Sequence, residues 1–362
     1  MKKICNYTAV AGCVLLLASG CCAQHNAVQN TRPFTTIGRV IETDSSTVRI
    51  FWPGTQVQTQ FSGTAISALI KDESGRNHFA VIVDDSLYKN IPLKKGAHEY
   101  VLAEGLPHGQ HRVSLYKLTD WFDGESELIQ FIYPPAARQK AVVEKKKWKL
   151  EFYGNSITVG AGMFSKKDAA NWPGSSTFNY YSYGAIAARK LDASAHFIAS
   201  SGIGLMVSWG SLIMPEIYNR SNPADSNSSW NFDKYQPDVV IVNLLQNDQS
   251  LIGDKNNTQF IRRFGTEAPS ADTIIGRYKD FISRIRAHHP NAYILCCLGS
   301  MSAVRPGSPF PDYIKTAVAL LNDRRVGTHF FTPIKHNEHP TRQEHEAMAE
   351  ELIPVLKKIL SP

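Results

Sequence analysis

Ser156 opens the chemical reading of this chain. It stands in Tyr153-Gly154-Asn155-Ser156-Ile157-Thr158, where the apolar pattern Trp148, Leu150, Phe152 ends and a loop begins. A hydroxyl held at a strand's carboxyl end, with backbone N–H groups around it, suits attack on an acyl carbon. Serine is a weak nucleophile at its free pKa and needs a base. His339, followed by Pro340, is the candidate. The next four residues, Thr341-Arg342-Gln343-Glu344, form a capping box that pins the last helix and the loop before it. Taken alone, His339 fits a surface histidine beside a proline better than a base. Gly202, in Ser200-Ser201-Gly202-Ile203-Gly204, would let a backbone N–H approach a substrate oxygen. Asn247, in Asn247-Asp248, offers an amide to a developing oxyanion. Each of these two also fits an ordinary turn.

The elements around these residues decide whether they meet. From Gly38 to about Tyr133 the chain runs in short alternating stretches separated by turns. Val48–Phe51, Phe61–Ile66, Phe79–Val83, Glu99–Leu102 and His111–Tyr116 read as strands. The expectation is a small all-β jelly roll. Beyond Pro134-Pro135 the period changes. Strands at Leu150–Phe152, His196–Ala199, Asp238–Leu244, Ala292–Leu295 and His329–Phe331 alternate with helices at Phe178–Leu191, Thr273–His288, Tyr313–Arg324 and Thr341–Leu360. Such alternation predicts right-handed crossovers and an α/β three-layer sandwich with a parallel sheet. Residues that follow the carboxyl ends of those strands gather in one crevice. Ser156, Gly202, Asn247 and His339 all do so.

The expected boundaries are a signal peptide at 1–23, a flexible leader at 24–37, the β domain at 38–135, a linker at 136–147 and the α/β domain at 148–362. Lys2 and Lys3 precede the short apolar core Ala9–Ala18, too short to span a bilayer. The chain is therefore expected to be exported. Ala18-Ser19-Gly20-Cys21 resembles a lipobox that would leave Cys21 lipidated; cleavage after Ala23 is the competing exit. Periplasm, outer-membrane lipoprotein and secreted bacterial protein all stay open.

Composition excludes other classes. The 362 residues are 43% hydrophobic and 20% charged, an ordinary globular mix. The net charge of +7 is dispersed, so no nucleic-acid partner is expected. Cys296 and Cys297, adjacent on a strand, point to opposite faces and read as small apolar residues. No metal site is expected, since His336 and His339 lack further ligands at suitable spacing. No cofactor is expected either. Oligomeric state is not readable. Trp172, Trp209 and Trp230 fall in long loops, where they would either stack on sugar rings or pack in the core.

The four blocks Gly-Asn-Ser156, Ser-Gly202-x-Gly, Asn247-Asp and His339-Pro resemble those of the SGNH (GDSL-type) hydrolases. The order of domains is closer still to the family-two carbohydrate esterases, over roughly residues 38–360. Phe178–Arg189 and Phe51-Trp52-Pro53-Gly54 also look like that family. The resemblance implies a flavodoxin-like sheet and Ser156 as nucleophile. It implies His339 as base, and the amides of Ser156, Gly202 and Asn247 around the oxyanion, with Gly204 as the substitute for Gly202. Leu245 stands where that family usually has glycine. The aspartate usual before the histidine is absent, leaving a backbone carbonyl, Asn337 or Glu338 to orient His339. The function implied is an exported serine carboxylic ester hydrolase. It would deacetylate plant polysaccharides or oligosaccharides of xylan or mannan type. The alternatives are a catalytically weakened carbohydrate-binding protein and an esterase or lipase for another acyl ester.

Overall fold

The computed structural model describes residues 1, 33–44, 46–135, 139–142, 145–164 and 177–361. Residues 32–362 form one compact unit. The expected signal peptide, Cys21 and Trp172 lie outside the described residues.

Strand period separates the two halves. β4 (Gln56–Ser62) alternates between buried and half-buried side chains along its length. One face therefore meets the core and the other the surface. It lies in a sheet with β1 (Thr35–Ile37), β9 (Gln110–Lys117), β6 (His78–Val83) and β7 (Ser86–Pro92), with β11 (Gln139–Ala141) also on β4. A second antiparallel sheet runs β2 (Val40–Glu42), β3 (Val48–Ile50), β10 (Ser126–Ile132), β5 (Ile66–Asp72) and β8 (Gly96–Ala103). Val57, Phe61, Ile70, Val81, Val113 and Leu128 fill the space between them. The stretch Phe61–Ile66, expected as one strand, is instead the corner between β4 and β5. Gly63 turns it at φ +146°, and alternation continues across the turn. Two stretches expected as irregular pair with β4: Thr35–Ile37, at the end of the leader, and Gln139–Ala141, in the linker.

The second half is built on five parallel strands. Their order is β13 (Ala193–Ala199), β12 (Trp148–Gly154), β14 (Val239–Asn243), β15 (Tyr293–Leu298) and β16 (Val326–Phe330). β14 is buried at every residue, as a strand covered on both faces must be. Val240, Val242 and Cys296 face α6 (Ala271–His288) and α7 (Phe310–Leu321). Ile241, Leu295 and Cys297 face α2 (Tyr183–Lys190) and α8 (Arg342–Leu360). The two cysteines thus sit on opposite faces. Burial pushes the Cys296 thiol up to about 12 and raises Cys297 as well. The strand order reverses beside β12, and a parallel sheet opens a crevice at such a switch point.

Candidate active site

The chain leaves β12 through Gly154 and turns straight into α1 (Ser156–Val159). A side chain on Gly154 would collide with Thr158, 2.0 Å from its Oγ1, so the tight strand-to-helix turn demands glycine. Asn155 caps the helix, its Oδ1 accepting the Ile157 N–H at 3.0 Å. Ser156 takes the first helical position, where the amide N–H has no intrahelical partner.

From the far end of the chain, His339 arrives on the loop before α8. The capping box expected there is present, with Thr341 and Glu344 bonding reciprocally. His339 Nε2 lies 2.8 Å from Ser156 Oγ. For that nitrogen to accept the hydroxyl proton, the neutral ring must carry its hydrogen on Nδ1. Burial holds the imidazole below its ordinary pKa, which favours this neutral, basic form.

Among the described residues, neither expected side-chain orienter is hydrogen-bonded to the ring. Asn337 Oδ1 accepts from Arg305 Nη1 at 2.7 Å, and Glu338 is exposed. His336 turns to Glu344, 3.0 Å from Nε2. The loop is held from outside by Arg305, which also donates to the carbonyls of Ile334 and His336. Among the described residues, no carboxylate meets His339 Nδ1.

The other two blocks close on the same strand ends. Gly154 is in register with Ala199 on one side and Asn243 on the other. Gly202 follows β13 with φ +74°, a conformation that favours glycine. Its N–H has no partner among the described residues. Gly204, the substitute, donates its N–H to Ser208 Oγ at 2.9 Å instead. Asn247 lies on α4 (Gln246–Ile252), not in a loop, and donates one Nδ2 hydrogen to Ile203 O at 2.7 Å. An amide has two such hydrogens, so one remains for a ligand. Asp248 ties the loop to α4 by accepting from the N–H groups of Leu205, Met206 and Val207.

Leu245 begins α4 in the left-handed region at φ +79°. The departure from the expected glycine is therefore a strained leucine, fully buried in the core.

The tryptophans divide. Trp209 is 57% exposed and packs beside Gly202. Trp230 does not rim the crevice: it is buried, with the Arg39 guanidinium 5.4 Å from its ring.

Several residues here escaped the sequence reading. Trp121 and Phe122, in a short turn after β9, line a small pocket with Ser201, Gly202 and Ser208. Asp120 accepts the Ser201 N–H at 2.7 Å. Behind Ser156, the Tyr183 hydroxyl meets Thr158 Oγ1 at 3.0 Å and accepts from Asn243 Nδ2 at 3.2 Å. Asn243 did carry a signal, as a polar residue ending an apolar run.

The arrangement offers an alcohol bonded to a neutral imidazole, with N–H donors after the neighbouring strand ends, which is the equipment of acyl transfer. Residues 36–139 match the family described as carbohydrate esterase 2 N-terminal. The chain is similar to the family-two carbohydrate esterases. It is 30% identical over 334 residues to the cellulase/esterase CelE of Acetivibrio thermocellus, covering 89% of this chain but 39% of that protein. An acetylxylan esterase / glucomannan deacetylase of Cellvibrio japonicus is 24% identical, with 90% of this chain and 88% of that one covered. A family two carbohydrate esterase from Clostridium thermocellum, solved with cellohexaose, superposes with a TM-score of 0.77. That pair is 29% identical, covering 90% of this chain and 99% of the solved one.

Proposed function

We propose that this protein is an exported carbohydrate O-acetyl esterase working through Ser156 and His339. The observation that carries the reading is the 2.8 Å contact between Ser156 Oγ and His339 Nε2 at the carboxyl end of a parallel sheet. Relatives named as acetylxylan esterases, and a cellohexaose complex of a similar structure, support an acetylated polysaccharide or oligosaccharide as substrate.

Ser156 Oγ bonds to the acetyl carbonyl carbon while its proton passes to His339 Nε2. The carbonyl π electrons move onto oxygen, where the N–H groups of Ser156 and Gly202 and the free hydrogen of Asn247 Nδ2 receive the charge. Collapse breaks the bond to the sugar oxygen, which leaves with the proton from His339. Water then adds to the acetyl-enzyme, giving its proton to His339. The second collapse frees acetic acid, which ionises to acetate, and the proton held by His339 returns to Ser156 Oγ. An oxyanion donor of this kind is worth about 3–4 kcal/mol in kcat.

Export is supported by the positive, apolar and small-residue order of residues 1–23. Acetate released from acetylated xylan, glucomannan and pectin by wild type and by Ser156→Ala tests the catalytic reading. Release that depends on Ser156 is expected. Undiminished release by the variant would sink it.

A further inference from the structure

The β domain touches the loop that carries Gly202. β9 ends at Lys117, and the chain that leaves it passes against the end of β13. Asp120 is buried there, 2% exposed, and its Oδ2 accepts the Ser201 N–H at 2.7 Å. Trp121 Nε1 donates to Ser200 Oγ at 2.7 Å. Two consecutive residues of one domain thus hold two consecutive residues of the other, directly before Gly202. The peptide plane after Gly202 is fixed separately, since its carbonyl accepts from Trp209 N–H at 2.9 Å.

Asp120 is itself anchored. Its N–H donates to Thr177 Oγ1 at 3.0 Å, and its carbonyl accepts from Lys117 Nζ at 3.2 Å. Lys117 is buried too and also donates to Asn77 Oδ1 and Thr119 Oγ1. Among the described residues, the second Asp120 oxygen, Oδ1, is buried without a hydrogen-bond partner of normal geometry. A buried carboxylate with one oxygen unsatisfied is costly to keep.

We propose that Asp120 is a positioning residue: by fixing the Ser201 N–H, it aims the neighbouring Gly202 N–H at the acyl oxygen in the transition state. The role rests on the Ser156–His339 reading given above. Glycine at φ +74° has unusual freedom, and an aimed donor must not spend it. A charged acceptor orients an N–H more firmly than a neutral one does. Burial pushes the Asp120 carboxyl up to about 6, so above that pH it is the charged acceptor.

The test compares wild type with Asp120→Ala and Asp120→Asn on 4-methylumbelliferyl acetate at pH 8. It adds the rate at which a p-nitrophenyl phosphonate ester modifies Ser156. Oxyanion donors act on the transition state, so kcat should fall while KM stays put. Asp120→Ala is expected to lose about ten- to thirtyfold in kcat with KM within about twofold, and to lose phosphonylation rate in parallel. Asp120→Asn keeps an oxygen acceptor but loses its charge, and is expected to lose about three- to fivefold in kcat. A folded Asp120→Ala with wild-type kcat would overturn the proposal, as would a loss confined to KM. Should Asp120→Ala not fold, Asp120→Asn decides alone: unchanged kcat and phosphonylation count against the role. A wild type without Ser156-dependent turnover removes both readings. An active, Ser156-dependent wild type with indifferent Asp120 variants removes only this one.

Discussion

His339 Nε2 and Ser156 Oγ meet at 2.8 Å across 183 residues of sequence, and no carboxylate among the described residues backs the imidazole. Two groups that act as a unit lose their effect together. Ser156→Ala and His339→Ala are each expected to lower kcat at least about a thousandfold. The double variant should be no worse than either single one. Steady-state kinetics on a soluble acetyl ester check this, and multiplying losses would argue against a shared step.

The pH profile follows from the same ring. A base whose pKa is held below the ordinary histidine value of about 6.5 stays neutral further into acid. The acid limb of kcat/KM is therefore expected to have its midpoint below that value. A midpoint above 6.5 would mean that an unseen anion stabilises the imidazolium.

Asn337 supplies a sharp contrast. Its side chain faces Arg305 and not His339, so Asn337→Ala should keep kcat/KM within about twofold. Arg305→Met frees the carbonyls of Ile334 and His336 and is expected to cost about tenfold in kcat by loosening the loop. Equal effects from both variants would restore Asn337 as an orienter.

Leu245→Gly sets two effects against each other. Glycine relieves a strain of about 1–3 kcal/mol at positive φ. Removing a fully buried leucine costs about 2–5 kcal/mol. Burial is the larger effect, so a lower Tm is expected by thermal unfolding. A raised Tm would show the strain to be the greater.

Buried charge makes stability depend on pH. Burial alone would raise the Glu151 carboxyl, but Arg39, His289 and His196 hold it down to about 2. Burial lowers His196 and His345 to about 3. Both histidines are neutral in the fold, while an unfolded chain protonates them below about 6.5. The stability they contribute is complete above that pH and is lost as pH falls toward 3. Glu151 adds a further loss as pH falls from its unfolded value of about 4.5 through 2. Urea unfolding from pH 7 to pH 4 should show a steady decline. Arg39→Met, which leaves Glu151 buried without its guanidinium, is expected to cost about 3–5 kcal/mol at pH 7.

Period carried the architecture in the sequence, and contact carried what it hid. The unbroken apolar run of β14 announced a central parallel strand, and the capping box announced where α8 begins. The same alternation misled at Phe61–Ile66, because a glycine corner does not interrupt it. α4 and α5 (Thr258–Phe264) were missed because they are short and polar. Ser156 and His339 were legible from their places at strand and helix ends. Asp120 was not, since its partner Ser201 lies 81 residues away in another domain. Trp230 stayed open between rim and core because nothing local reveals that Arg39 lies over it.

Arg39 enters the chain at the edge of the β domain, yet its guanidinium ends on Glu151 at 3.2 Å and on the Tyr153 hydroxyl at 3.0 Å, both on β12. A fragment starting at β12 would leave that acid facing a void. The two halves are therefore poor candidates for modular exchange. Anyone moving this esterase-like scaffold into a fusion must carry the sandwich along, or redesign the electrostatics beneath its sheet.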